Sequence, residues 1–427
     1  MGLVSSIVSY VSTLAQNAGV VPAGTNVATH ARANDGAEVQ DIYLDWGVTQ
    51  DAGGRLRVSQ LTTLGDYKVL DYDRTLLMDT VGTGSGSWSN NKYTMSVQSG
   101  QYLIRYSRRF HPYFSGKSQM IEMTCDNFGL QTNVEKFIGG YSSSPTGTYG
   151  TNYDGFVLHN TGATYVLEAY RNGTKTVDVD WTLWDNYSLI SNYNFNNFSV
   201  FLIDYLWLGG AIYRLWIKTD KGFVLLHTVH YSGTSEDVIT LSPNQPLRYE
   251  IRSSTGTGTL RYICAQVSTE GSTNESGLIR TVSAPAISGA SIGTTYPMKA
   301  IRKKVSCRDI GVSVEDLYMF LSTSADQAIW SLQINPTLSA PLTYSDVTGA
   351  AIQEANGNGT ITVTSPGTII ASSGISTNSV LPVGNLKLNF LSYLGSTINN
   401  TMDQYVLCMT PITTGVTGHA GLSYKEI

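Results

Sequence analysis

Charge is scarce in this chain. Only 14% of its 427 residues are Asp, Glu, Lys or Arg, against about 25% in an ordinary soluble domain, so the charged surface helices of a metabolic enzyme are not expected. Residues 1–31 carry none of these four at all. The formal net charge of -5 excludes a general electrostatic grip on nucleic acid, which needs a basic excess or stripe. Cysteine is scarce too. Cys125, Cys264, Cys307 and Cys408 stand far apart, with no CxxC pair and no histidine at metal-ligand spacing. They are expected as free thiols in a reducing compartment, and no metal or cofactor set is expected. No apolar run approaches the roughly 20 residues of a membrane span, and no basic n-region announces a secretory signal. The chain is therefore expected to stay in the cytoplasm of the producing cell. No GxSxG elbow occurs, and no acidic constellation marks a catalytic centre, so the chain is not expected to be an enzyme.

What is abundant is glycine, with 42 residues, and tyrosine, with 26: turn formers, and rings that give contact area with a polar tip. Period-two alternation recurs. In residues 101–124, Tyr102, Ile104, Tyr106 and Phe110 fall on one face and Leu103, Arg105, Ser107 and Arg109 on the other, as a half-buried strand requires. Past Pro112 and Gly116, Ile121, Met123 and Cys125 alternate again. Asn172-Gly173 between two such runs predicts a type I′ hairpin. FSVFLIDYLWL, AIYRLWIK and FVLLHTVHY predict a three-stranded meander over 198–231.

The fold class that follows is mainly β: antiparallel β-sandwich or jelly-roll domains behind a short N-terminal helix and arm. The expected organisation is helix and arm over 1–40, a β-sandwich region of one or two domains over 41–267, a Ser/Thr/Gly/Pro-rich surface linker over 268–298, and a second jelly-roll-like sandwich over 299–427. The glycine-rich run 81–91 is expected as a flexible connection. VEDLYMFL (314–321) is too short for its period to decide between strand and helix.

Several residue groups are candidates for function. Val4, Ile7, Val11, Leu14 and Ala18 recur at spacings of three and four. They form a seam of two heptads, too short to stand alone in water, so it is expected to be buried on this chain's own sandwich, in a homo-oligomer, or as a plug in another protein. Arg105, Arg108, Arg109 and Lys117 form the densest basic patch, facing a partner or pairing with carboxylates, and Lys299, Arg302, Lys303 and Lys304 form a second. Gly116-Lys117-Ser118 imitates the end of a phosphate loop, yet His111 stands where the first glycine is required and a strand pattern follows instead of a helix. Trp184, Asp185, Asn186, Tyr187, Tyr193 and Asn194 are the candidate glycan contacts, rings to stack on sugars and polar groups for hydroxyls; the competing reading places these rings in core or interface. Asp178 and Asp180 share a strand face, as an acid pair, a calcium site or a charged edge. His227 and His230 fall on opposite faces of a strand and cannot converge on a metal.

The pattern Arg105, Arg108, Tyr113, Gly116, Lys117, Ser118, Gln119, Ile121 and Thr124 resembles a run found in virion structural proteins of tailed bacteriophages. Residues 54–74, 201–214, 246–251, 334–353 and 401–412 resemble the same family, in this order, so the likeness spans most of the chain after residue 40. It implies a non-enzymatic particle component assembled in a bacterial host: a homo-oligomer, expected as a trimer, at the capsid surface or vertex or at the tail, as head fibre, decoration, hub or fibre. The partners implied are copies of itself and other virion proteins. A carbohydrate-binding adhesin, or a glycan-degrading tail protein, is the alternative function.

Overall fold

Alternating apolar residues need a second surface to cover them, and here two sheets supply it to each other. The computed structural model describes residues 51–52, 60–69, 77–143, 152–208, 210, 212–220, 222–271, 277–322, 326–376, 381–383 and 393–427. The expected helix over the first residues, with its seam, lies outside them. The first unit is built from β1 (Leu61–Asp66), β2 (Met78–Gly82), β3 (Ser85–Ser89), β4 (Lys92–Val97), β5 (Tyr102–Ser107), β6 (Gln119–Cys125), β7 (Val134–Ser143), β8 (Tyr153–Asn160), β9 (Tyr165–Arg171), β10 (Thr174–Asp180), β11 (Ser199–Leu206), β12 (Ile212–Thr219), β13 (Gly222–His230), β14 (Leu247–Ser253), β15 (Gly258–Tyr262) and β16 (Ala265–Glu270).

A six-stranded sheet, β1-β16-β6-β11-β12-β13, faces a seven-stranded one, β10-β9-β8-β7-β14-β5-β2, with a small sheet β15-β4-β3 beside them. All pairs are antiparallel. One core runs from Leu64 to Val267, so residues 61–270 form a single sandwich. Phe156 sits near its middle, with its ring centroid 4.7 Å from those of Tyr205 and Tyr213. Each large side chain fully buried there contributes about 1.5–3 kcal/mol. The predicted hairpin joins β9 to β10, with Asn172 at φ 45° and Gly173 at φ 85°. The meander of β11, β12 and β13 is also as expected. The glycine-rich run differs: β3 occupies it, and Asn90 and Asn91, at φ 52° and 56°, turn it tightly into β4. Asparagine tolerates the left-handed region, so no flexible loop is needed.

The second unit adds β17 (Leu278–Ser283), β18 (Ile287–Ala290), β19 (Tyr296–Lys303), β20 (Val312–Leu321), β21 (Gln327–Ile334), β22 (Thr337–Leu338), β23 (Ser345–Asp346), β24 (Ile352–Asn356), β25 (Val363–Ser365), β26 (Thr368–Ser376), β27 (Leu381–Val383), β28 (Gln404–Pro411) and β29 (Val416–Glu426). Its sheets are β17-β29-β20-β27, with β18 also on β29, and β23-β24-β19-β28-β21-β26, around a core from Val282 to Tyr424. The ambiguous run 314–321 is strand. The expected linker is corrected as well. Much of 268–298 is sheet, since β17 pairs with β29 along its whole length while exposing most of its side chains. A strand at a sheet's edge with a wet face reads as linker composition.

Candidate functional site

The outer face of the seven-stranded sheet carries the densest chemistry. Leu247, Tyr249 and Ile251 of β14 point into the core, so Arg248, Glu250 and Arg252 point away from it. In register across the sheet, Asp79, Tyr106, Arg248, Gly139, Val157, Glu168 and Asp178 form one row. Alongside them Phe137, Tyr141, Tyr153 and Tyr170 make a second, smaller cluster. The Tyr153 ring meets both Tyr141 and Tyr170 edge-on at 5.3 Å. Gly155 stands in register between these two. Its φ is +127°, and a Cβ there would come within 2.3 Å of the Gly140 carbonyl oxygen.

Two glutamates anchor this face, each saturated by its neighbours. Glu250 is fully buried and ion-paired to Arg248 at 2.6 Å and to Arg252, and it accepts from Tyr153 (3.0 Å) and Tyr141 (3.3 Å) hydroxyls. Burial by itself would raise its pKa; the two guanidiniums outweigh that and hold it below the usual carboxylate range. Glu168 is also fully buried, and takes Lys175 at 2.6 Å, the Tyr170 hydroxyl at 2.8 Å and His159 Nδ1 at 3.2 Å. These bonds likewise outweigh burial and lower its pKa. Three strand spacings separate the backbones of the two glutamates in the sheet, roughly 14 Å.

Where this face meets the second sandwich it leaves a narrow, half-open cleft whose enclosed part, about 20 Å³, has room for about one water molecule. Tyr106, Phe110, Tyr141, Ser142, Ser143, Pro246 and Arg248 line it from one side, and Arg308, Ser396, Thr397 and Ile398 from the other. The walls are joined by polar bonds. Arg108 pairs with Asp403 at 2.5 Å and Asp79 at 3.3 Å, and Arg109 Nε donates to the Tyr393 carbonyl at 2.7 Å. The Ile398 amide donates to the Tyr106 hydroxyl, and Arg308 donates to the Ser143 carbonyl. Asp309 accepts from the Ser242 hydroxyl at 2.7 Å.

The structure separates the residues that sequence grouped. Of the basic patch, Arg105 turns inward under the Tyr93 ring (4.7 Å) and donates to the Tyr262 hydroxyl. Arg108 and Arg109 join the two sandwiches, and Lys117 alone stays apart, over the Phe114 ring at 5.6 Å. Two of the four, Arg108 and Arg109, thus meet this chain's own second half. Lys303 of the second basic run is buried at the same junction, while Lys299 pairs with Glu354 at 2.5 Å. Among the glycan candidates, Trp184 is buried and bonded to the Val179 carbonyl, so its ring is core. Asp185 and Asn186 tie their loop to β13, through His227 and the Thr228 amide, and through the Leu225 carbonyl. Tyr187 and Tyr193 are half-buried against Trp181 and Phe195. Asp178 pairs with Lys175, whereas Asp180 accepts from Thr164 and caps the next turn. Among the described residues no three His, Cys, Asp or Glu side chains converge as a metal site.

Sequence reasoning missed Glu168, Glu250, Arg248 and Arg308. The signal for β14 was present, as charged residues at every second position of LRYEIRS. Alternation alone assigns such a face to water.

No family model matches the chain, and no curated protein sequence matches it. Among solved structures it is similar to a native glycosidic hydrolase (8% identity, TM-score 0.35, covering 49% of this chain and 96% of that one). It is also similar to the beta-glucanase of Bacillus licheniformis (11%, 0.33, 49% and 97%) and to the carbohydrate recognition domain of Emp47p (12%, 0.33, 50% and 98%). At these values the likeness concerns about half the chain and is no guide to chemistry; the fold class rests on the strands described above.

Proposed function

We propose that this chain is a non-enzymatic carbohydrate-binding protein and that a sugar docks across the open mouth of the cleft between its two sandwiches. The observation that carries the reading is the lining of that cleft: the rings of Tyr106, Phe110 and Tyr141 beside two guanidiniums and several hydroxyls. Binding sites combine a mainly apolar wall with a few placed polar groups in this way, and a flat ring beside hydroxyl partners suits a saccharide. The buried glutamates of the same face are held by cations, which favours binding over acid–base chemistry. Calorimetry against a panel of mono- and oligosaccharides tests this. Ile398→Trp, which fills the cleft from its half-exposed side, is expected to abolish sugar binding while leaving the melting temperature within a few degrees. Unchanged binding in that variant would overturn the assignment.

A second reading, a structural component of a bacteriophage particle, is supported by the resemblance that runs in order through most of the chain and by the docking of both sandwiches through buried ion pairs. The two readings are compatible in a particle-surface protein. Light scattering on the full-length chain is expected to give a closed homo-oligomer, a trimer in the simplest case. A monomer at micromolar concentration sinks the self-assembly part.

A further inference from the structure

We infer that the outer face of the six-stranded sheet is the seat of this chain's own residues 41–50, the stretch that leads into Asp51. Ile121 of β6, Phe201 and Ile203 of β11, and Leu215 and Ile217 of β12 belong to the core of the first sandwich. Met120, Glu122, Leu202, Asp204 and Trp216 therefore point the other way. The outer face of an antiparallel sheet commonly meets water, and the middle of this one does not. Leu202 is 1% exposed, Met120 3% and Asp204 0%. Yet no described strand or helix packs across that side as a layer, and Leu202 belongs to none of the apolar clusters among the described residues. Burial raises the Glu122 pKa against the pull of Lys218, as it would under a cover.

The point at which the described chain begins names the occupant. Asp51 and Ala52 are buried, and the Ala52 amide donates to Ser118 Oγ at 3.4 Å. The same hydroxyl is bonded to Asp204 on the face in question. Gln119, the next residue, stands opposite Tyr205 in register, so Leu202 lies three residues along β11, roughly 10 Å from this anchor. Ten residues of extended chain reach about 33 Å at most, which is ample. Residues 41–50 read DIYLDWGVTQ, with Ile42, Leu44, Trp46 and Val48 at every second position and Asp41, Tyr43, Asp45 and Gly47 between them. Such a run has one apolar side when extended, to set against Met120, Leu202 and Trp216, and both surfaces then leave water together. The buried Trp216 Nε1 has no hydrogen-bond acceptor among the described residues; a backbone laid over it can supply one.

The test places a thiol on the face of the full-length chain by Leu202→Cys and, in a second protein, by Met120→Cys. Each is pulsed with a maleimide, and labelling is read by peptide mass against the half-buried Cys307. The introduced thiols are expected to label about tenfold more slowly than Cys307, and to gain about tenfold when Leu44→Asp and Trp46→Asp are added, since access then no longer waits for local opening. Melting curves and circular dichroism show whether each variant is folded. Leu44→Ala with Trp46→Ala removes the apolar contact without adding charge, and gives the same reading should the aspartates prevent folding. Fast labelling at both positions in the otherwise natural chain shows an open face and overturns the inference. Slow labelling that survives both pairs of substitutions overturns the assignment to residues 41–50. Protection that disappears on dilution shows the segment of a second copy in that place, and overturns the seating of the chain's own.

Discussion

His111 is enclosed by two partners that fix its protonation. The Gln245 carbonyl, 2.9 Å from Nδ1, can only accept, so Nδ1 carries the proton and Nε2 accepts from the Tyr67 hydroxyl at 2.7 Å. Burial, with Arg109 nearby, lowers its pKa from 6.5 to about 4. The unfolded chain therefore takes up this proton first. The stabilisation is fully present above pH 6.5 and is lost as the pH falls through 4, in total about 3 kcal/mol. Urea unfolding at pH 7 and pH 4.5 is expected to show this loss, and His111→Gln to flatten the dependence. Glu250 is the second residue whose removal is informative. Glu250→Gln leaves Arg248 and Arg252 buried without their carboxylate, an expected loss of about 3–5 kcal/mol in the urea midpoint. A loss below 1 kcal/mol would mean that water reaches this face.

At the scale of elements, the turns were legible because they rest on local sterics. Gly173 has φ +85°, and a Cβ would come within 2.8 Å of the Asn152 Cα. Gly173→Ala is expected to cost about 1–3 kcal/mol in thermal unfolding, and the D-alanine equivalent less, since its Cβ points away and its φ is allowed. The edge strand β26 is a different matter. Ile369 is 52% exposed and the strand TIIASSGIS has no charge and no proline, the features with which natural edges are blunted. Ile369→Lys is expected to reduce aggregation on heating without lowering the melting temperature. The run 268–298 was misread at this scale, because short strands with one exposed face and many Ser and Thr have the composition of linkers.

For the molecule as a whole, the junction between the sandwiches is held by Arg108, which bridges Asp79 of the first and Asp403 of the second. Arg108→Ala removes both pairs and leaves Asp403, itself buried, without its guanidinium. The expected outcome in calorimetry is one unfolding transition for the natural chain and two for the variant, with the earlier one about 3 kcal/mol less stable. A single transition in the variant would show that apolar contacts suffice to couple the units.

Alternation, turn residues and the absence of helical periods determined the fold class, the Asn172-Gly173 hairpin, the meander over 198–231 and a second sandwich after it. These are short-range consequences of backbone geometry, so a sequence read in windows contains them. Only the tertiary structure decided which faces are covered. Arg248, Glu250 and Arg252 alternate as a wet face would, and Arg108 and Arg109 look like a patch awaiting a partner. Both are enclosed: the first three pair with one another beneath the rings of Tyr141 and Tyr153 from distant strands, and Arg108 and Arg109 meet Asp403 and Tyr393 of the second sandwich. Alternation states that a strand has two faces; which of them meets water depends on what packs there, and no local pattern carries that information.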